Sequence, residues 1–381
     1  MTGDASDIDQ DRYALVAEKA AETAAPDLPY RPRDPSRYRP GIGLIGAGGI
    51  TVSHLDAYKK AGYRVLAISN PTLSKAAARR DAFFPDARIS TDHEAVLACP
   101  GVDVVDIATH PAERVALIEA AIEAGKHVLS QKPFVLDLDV GERLCDRAAS
   151  KGVRLAINQN GRWAPHFAYM REAVKAGLIG EVTGVHVAVH WDHSWIKGSS
   201  FEEMDDLILY DFAIHWFDFL ASLIGRSAAS VYATRGFAAG QTVRPPMFAQ
   251  ALVNFEGGQA SLVFDAHTRY GPLDTTYVAG AKGSLSSIGP NLQEQAVTLH
   301  TEAGVARPAL TGSWFNDGFH GAMAELLSAI EENRQPSNNG RDNLLSLALA
   351  FAAIYSSRTG VARAVGSVRK LAAAAGHGAI H

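Results

Sequence analysis

The sequence predicts a two-domain α/β protein: a parallel sheet with helices on both faces, then an α/β domain built on a large, open, mostly antiparallel sheet. Three observations predict it. From Gly41 to Ile157, apolar strand-like runs alternate with helix-like stretches, the rhythm of repeated β-α-β units. The first run, Ile42-Gly43-Leu44-Ile45, meets the glycine cluster Gly46-Ala47-Gly48-Gly49 just before a helix-capable stretch. After about residue 158 the rhythm changes to alternating strands with few helices. A length of 381 residues also exceeds what one core commonly serves.

Residues 1–40 stand apart as an extension. Asp11 to Ala21 is a candidate short helix; Pro26, Pro29, Pro32, Pro35 and Pro40 then favour extended backbone. The segment reads either as a mobile tail or as an arm, anchored by Tyr30 and Tyr38, that lies on its own domain or on a neighbouring subunit. From residue 41 to 158, strands are expected at Gly41–Ile45, Arg64–Ser69, Val102–Ala108, His127–Leu129 and Arg154–Ile157. Helices are expected at Ile50–Lys60, Leu73–Phe83, His93–Ala98, Pro111–Ala124 and Leu138–Ser150. Asp92 suits the cap of the third and Asp139 lies near the start of the last. Gly62, Gly125 and Gly152 fall just past helix ends, where a left-handed residue is common.

The second domain is expected over 159–365. Phe167–Ala176 and Leu207–Leu223 read as helices, the latter with polar residues on one side. Val182–His190, Ser230–Thr234, Ala249–Phe255, Gln259–Ala266, Asp274–Gly280 and Gly283–Ile288 read as strands, with Gly257-Gly258 as a hairpin signal. Phe319–Glu332 and Asn343–Thr359 are late helices; 366–381 is a tail, Ala-rich over Leu371–Ala375.

Composition narrows the function. The chain is 47% hydrophobic and 20% charged, with net charge −5 and no long basic run, which argues against a nucleic-acid partner. Cys99 and Cys145 make no CxxC pair and no metal-ligand spacing, so a reducing, cytoplasmic setting fits. No run is long and apolar enough to span a bilayer, and the acidic N-terminus carries no signal core.

The glycine cluster sits in the first β-α turn, where a dinucleotide site requires it. Gly46 permits the sharp turn, Gly48 lets backbone approach a ligand, and the helix beyond Ile50 aims unpaired N–H groups at an anion such as pyrophosphate. Taken alone, the glycines could instead make only a tight turn. Thr51 occupies the third glycine position of the G-x-G-x-x-G fingerprint. Asn70 stands at the end of the second strand, where an acid usually takes the adenosine ribose; it lacks the charge that repels a 2′-phosphate, and Ser69, Thr72 and Lys75 are close. NAD is placed ahead of NADP. As a turn residue before Pro71, Asn70 would also be ordinary whatever the cofactor.

Two further clusters carry chemistry. Gln131-Lys132-Pro133 follows a strand at its ligand-binding edge, and a lysine there can bond a substrate hydroxyl and stabilise charge on oxygen. In Tyr210-Asp211-Phe212-Ala213-Ile214-His215, the acid and the histidine are four apart and share a helical face. That pair suits proton abstraction from a hydroxyl, or a buried hydrogen bond that only steadies the helix. The loop His190-Trp191-Asp192-His193-Ser194-Trp195 suits a sugar platform, or is simply an apolar loop. A zinc site on His190 and His193 is not expected, for want of a third ligand. Trp314 to His320 is a similar aromatic-polar stretch, with Asp317 and His320 as candidates to close a pocket or cap the next helix.

The order and spacing of the glycine turn, Gly125-Lys126-His127-Val128 before Lys132-Pro133, and Asp211-x-x-x-His215 resemble the Gfo/Idh/MocA oxidoreductase family. Asn158-Gln159-Asn160-Gly161-Arg162-Trp163-Ala164-Pro165 looks like that family's opening of the second domain, and Gly340 to Gly360 is similar to its closing helix. The resemblance covers roughly residues 41–365. It implies a Rossmann domain, an open-sheet second domain, and a homodimer or homotetramer through that sheet. It implies NAD(P)-dependent oxidation or reduction of a sugar, polyol or derivative, with Lys132, Asp211 and His215 as catalytic set. The expected cofactor set is Gly46, Gly48, Gly49, Ile50, Ser69, Asn70, Thr109, His110, Gln131, Lys132 and Asn160. The expected substrate set is Lys132, Arg162, Trp163, His193, Trp195, Asp211 and His215, with no metal. Gln131 departs from the family's Glu before the lysine, and Glu202-Glu203-Met204-Asp205-Asp206 replaces its usual glycines before the aspartate. Two rivals stay open: an enzyme of this superfamily that uses NAD transiently to cleave glycosides, and a non-catalytic NAD(P)-binding sensor.

Overall fold

The computed structural model of the chain describes residues 20–371. Its first sheet has six parallel strands: β1 (Gly41–Ile45), β2 (Arg64–Ser69), β3 (Arg88–Ser90), β4 (Val102–Ile107), β5 (His127–Gln131) and β6 (Leu155–Asn158), in the order β3-β2-β1-β4-β5-β6. Between them run α1 (Thr51–Lys60), α2 (Leu73–Phe83), α3 (Glu94–Leu97), α4 (Pro111–Glu123) and α5 (Leu138–Ser150). The strand order reverses beside β1, which opens the crevice where such sheets bind ligands. The sequence misses β3, a three-residue edge strand without a fully buried residue. Gly62, Gly125 and Gly152 all take positive φ past their helices. Asp92 accepts the Glu94 N–H at 3.0 Å as expected, whereas Asp137, not Asp139, caps α5 by accepting from Asp139 and Val140 N–H.

The second sheet has nine strands. In chain order they are β7 (Val182–His190), β8 (Ala228–Gly236), β9 (Phe248–Phe255), β10 (Gly258–Asp265), β11 (Leu273–Gly280), β12 (Gly283–Gly289), β13 (Ala296–Thr301), β14 (Gly304–Ala306) and β15 (Arg363–Ala364). They lie in the order β14-β13-β12-β11-β7-β10-β9-β8-β15. All pairs are antiparallel except β7 with β10, so the sheet is mixed. Side chains alternate across it: Ala249, Ala251 and Val253 of β9 are buried, while Leu252 between them is 56% exposed. Tyr232, Tyr277 and Ile288 share that open exposure.

Helices α6 (Pro165–Lys175), α7 (Ile214–Ile224), α8 (Asn316–Glu331) and α9 (Gly340–Thr359) complete the chain. The packing does not follow the linear division at residue 158. Phe319, Ala322, Met323, Leu326 and Leu327 of α8 join Ile42, Leu44, Leu55, Tyr58 and Ala156 in one core, so α8 returns to cover the first sheet. Beyond α9, Val365 N–H bonds Ala229 O, and Leu138 N–H and Leu371 N–H exchange bonds with Arg369 O and Leu136 O. Residues 365–371, which include the described part of the expected tail, are therefore fastened to both domains; residues 372–381 lie outside the described residues.

Residues 20–40 lie on their own chain. Thr23 pairs with Val305, Tyr169 OH bonds Pro26 O at 3.1 Å, and Asp34 bonds Tyr63 OH and His320 Nε2. The Glu331 carboxylate accepts the N–H groups of Ser36, Arg37 and Tyr38. The strap thus ties β14, α6, α8 and the first domain together. Most of the expected helix Asp11–Ala21 falls outside the described residues, and Ala20 and Ala21 are not helical.

Candidate active site

The glycine turn leaves β1 at its carboxyl end. Gly46 has φ +102°, and a Cβ there would meet Ala108 O at 2.7 Å, so glycine is required on two counts. At Gly48 and Gly49 a Cβ would meet nothing within 4 Å. That open space continues into a pocket of about 230 Å³ lined by Ala47, Gly48, Gly49, Ser74, Lys75, Ala78 and Arg79. The fingerprint's odd residue has a use: buried Thr51 donates its hydroxyl to Gly48 O at 2.6 Å and accepts from Arg79 Nε at 3.1 Å. Asn70 is committed to the turn. Its Oδ1 accepts Ala47 N–H and its Nδ2 donates to Thr72 O, both at 3.1 Å. The turn reading of Asn70 therefore holds, with or without a ribose nearby. Ser69 is buried and supplies its carbonyl to Gly46 N–H; Ile50 and His110 are exposed at the starts of α1 and α4.

Farther along the crevice, Thr109 Oγ1 and both amide atoms of Gln159 are buried without a partner. Buried polar atoms in native proteins are nearly always bonded, so these await a ligand. An open glycine cradle and a line of waiting polar atoms fit a dinucleotide. Gln159 was absent from the expected set, although the Asn158-Gln159-Asn160 run had marked its position. Arg114, buried, donates to Thr109 O and Pro133 O and so pins the two loops that flank the crevice. Burial pushes its guanidinium down to about 10.

The expected catalytic residues meet at this edge. Lys132 Nζ donates to Asp211 O at 2.8 Å and Asp211 Oδ1 at 3.0 Å. One residue supplies both acceptors because the expected single helix Leu207–Leu223 is split: Ile208–Phe212 forms a π-helical turn, closed by Ala213 N–H to Ile208 O, before α7 begins. Such turns insert a residue and re-aim side chains. His215 Nδ1 is buried without a partner, and His215 makes no hydrogen bond among the described residues, so the Asp–His bond considered from the sequence does not form. The ring lies edge-on to Trp314 at 5.5 Å. Burial, reinforced by the Lys132 charge, holds His215 well below the ordinary histidine value. Gly161 makes room for it; a Cβ there would meet His215 Nδ1 at 3.4 Å and the Trp314 ring at 3.1 Å.

The platform loop is partly engaged. His193 packs against Trp191, Trp195 and Phe212, with ring centroids at 5.9, 5.3 and 4.6 Å. Burial pushes its pKa down to about 4, and its Nδ1 has no partner. Trp195 is 61% exposed. Asp192 accepts Ser194 N–H, and His190 Nδ1 pairs with Asp265 at 2.7 Å, which ties it to the sheet.

Two expected substrate contacts are also engaged in structure. Arg162 is buried in a two-pronged pair with Asp218, at 2.6 and 2.8 Å, and donates to Ser337 O, so three of its five N–H groups are committed to structure. Trp163 packs on α8, where Gly321 is cut back to admit its ring. Asp317 and His320 likewise serve structure: Asp317 accepts Ser313 N–H and His320 holds the strap. Asp274 and Thr276 stand outside the expected sets; their Oδ2 and Oγ1 are buried and unpartnered on the covered face of β11. Asp274 stands opposite Val189, at the end of β7 that leads into the Trp191 loop, and burial raises its carboxyl to about 7. Strict alternation with Val278 was the available signal.

His166 (down to about 3), His193 and His215 are all depressed by burial. An unfolded chain takes those protons first, so stability is full above the unfolded value of 6.5 and is lost as pH falls below it. Thermal denaturation at constant ionic strength is expected to show Tm dropping between pH 6.5 and 4; a Tm flat across that window contradicts it.

Comparison with known proteins bears on the family and the fold. Inositol 2-dehydrogenase of Rhizobium meliloti (strain 1021) is 28% identical over 329 residues, covering 83% of this chain and 96% of that protein. D-apiose dehydrogenase of Paraburkholderia graminis is 27% identical, covering 83% and 87%. The fold also matches a crystal structure of an oxidoreductase from Agrobacterium radiobacter in complex with NAD+, L-tartaric acid and magnesium: TM-score 0.77, 21% identity, 86% of this chain and 99% of that one. Residues 41–159 match the oxidoreductase family's NAD-binding Rossmann fold, and residues 167–286 match the GFO/IDH/MocA C-terminal domain. With both halves matched in order to one family, the chain belongs to the Gfo/Idh/MocA oxidoreductases.

Proposed function

We propose that the protein oxidises a hydroxyl of a neutral sugar, sugar derivative or polyol, with NAD as cofactor and NADP tolerated. The observation that carries this is Lys132 clamped on Asp211 beside a neutral, unpartnered His215. His215, through the ring nitrogen opposite its buried Nδ1, takes the substrate hydroxyl proton. Lys132 and Asp211 position the reacting oxygen, and Lys132 stabilises negative charge on it. The nicotinamide, when bound, accepts hydride from the substrate carbon. The glycine turn, Thr109 and Gln159 would hold the dinucleotide, while His193 and Trp195 would meet the substrate face. Lys132 is paired with Asp211 and Arg162 with Asp218, so neither of these two cations is free to favour a phosphorylated substrate. The named relatives, dehydrogenases of inositol and apiose, fit this class. The exposed sheet face with Tyr232, Leu252, Tyr277 and Ile288 suits a homodimer or homotetramer.

A panel of sugars and polyols incubated with NAD or NADP, followed by absorbance of the reduced nicotinamide, tests the proposal. Turnover without net NADH and without added cofactor would point to glycoside cleavage; binding without turnover would point to a sensor. Cofactor choice has its own test. Asn70→Asp keeps the acceptor for Ala47 N–H, gives up the bond to Thr72 O, and adds a charge beside the Lys75 and Arg79 pocket. It is expected to cut kcat/KM for NADP relative to NAD by about tenfold or more, roughly 1.4 kcal/mol. An unchanged ratio would remove the role given to that position.

A further inference from the structure

Beneath the crevice lies a polar chain that the proposed chemistry does not use. His54 of α1 is fully buried. Its Nδ1 sits 2.7 Å from Asp106 Oδ2 on β4, and the same oxygen accepts Tyr58 OH at 2.7 Å. Its Nε2 faces two amide nitrogens, Gln131 Nε2 at 3.0 Å on β5 and Asn158 Nδ2 at 3.5 Å on β6. The remaining side is closed by the Phe319 ring of α8 at 4.2 Å. Gln131 Oε1 accepts the backbone N–H of Lys132 at 2.6 Å.

These bonds have one consistent direction. A backbone N–H can only donate, so Oε1 is the Gln131 atom on Lys132, and the amide N–H must point at His54. Nε2 of the imidazole must then accept, which leaves its single proton on Nδ1 for the Asp106 carboxylate. Burial and Asp106 keep Tyr58 protonated as the second donor. We infer that Asp106, His54 and Gln131 form a positioning relay that sets the Lys132 backbone, and through it where Nζ meets Asp211. The relay also accounts for glutamine in place of the family's glutamate. A carboxylate at 131 would face Nε2 and demand a second ring proton; the amide matches the neutral ring.

This rests on Lys132 acting in the reaction, so the test has one arm that does not. In ¹⁵N-histidine-labelled protein at pH 7, the His54 resonances, identified by their loss in His54→Gln, are expected to show Nδ1 protonated and Nε2 bare. A ring protonated at Nε2, alone or together with Nδ1, overturns the relay whatever the enzyme's activity. In kinetics, Gln131→Met is expected to lower kcat about tenfold or more, with KM for sugar and cofactor within about threefold, because misplacement acts on the reacting geometry. His54→Gln keeps a donor toward Asp106 and an acceptor toward Gln131, and is expected to retain kcat within about threefold; His54→Phe, which keeps neither, is not. Equal damage from His54→Gln and His54→Phe, failure of His54→Gln to fold, or an unaltered kcat in Gln131→Met refutes the inference. If Lys132→Met leaves turnover intact while the ring spectrum is as expected, the proposed chemistry fails and the relay's direction stands.

Discussion

Replacing His215 with alanine is expected to lower kcat by about 10²–10⁴-fold, roughly 3–5 kcal/mol of transition-state stabilisation, with little change in Tm. The ring makes no hydrogen bond among the described residues, so its removal orphans no partner. What is lost is a base that burial and Lys132 keep neutral. The same cause sets the pH dependence: protonation of His215 is disfavoured, so the acid limb of kcat/KM for the wild type is expected below 6.5, the ordinary histidine value. Steady-state rates of both proteins from pH 5 to 9 decide it. A variant within tenfold of wild type at every pH would remove His215 from the chemistry.

Arg162→Ala is expected to be the most destabilising single change near the site, by about 3–5 kcal/mol, because it leaves a buried carboxylate without its counter-charge. Asp218 would keep only Ser346 Oγ at 2.9 Å and a longer contact to Asn343 at 3.4 Å. Replacing both members with apolar residues is expected to recover much of the loss, since neither charge then stays buried alone. Urea denaturation of the single and double variants measures this. Were Arg162 a substrate clamp instead, the alanine variant would keep its stability and raise KM for the sugar; that outcome would restore the reading from sequence.

Arg162 shows why a linear reading falls short. An arginine in a family-like Asn/Arg run, next to a domain boundary, is as reasonable a substrate contact as Lys132. The two differ only in what folds onto them. Asp218 lies 56 residues away, one turn beyond His215 on the same helix. Asp211 lies 79 residues from Lys132. Nothing local distinguishes a carboxylate that closes a buried pair from one that faces a cleft. Asn70 and Gln131 follow the same logic: each seemed a weakened family position, and each proves bonded to the backbone it steadies, Ala47 N–H and Lys132 N–H.

The parallel first sheet, the long strands of the second and the glycine turn were legible in the residues, and Lys132, Asp211 and His215 in their family-like order and spacing. Those features rest on local physics: period-two and helical patterning, glycine's access to positive φ, and ligand binding at the carboxyl edge of parallel strands. Folding alone shows that α8 returns to the first sheet, that residues 20–40 strap both domains, that β7 and β10 run parallel, and that a π-helical turn lets Asp211 accept from Lys132 twice. Those outcomes depend on long-range pairings between residues whose local patterns allow several partners. The choice among partners is made by burial, which makes an unpaired polar group costly and so favours the pairings that satisfy most of them.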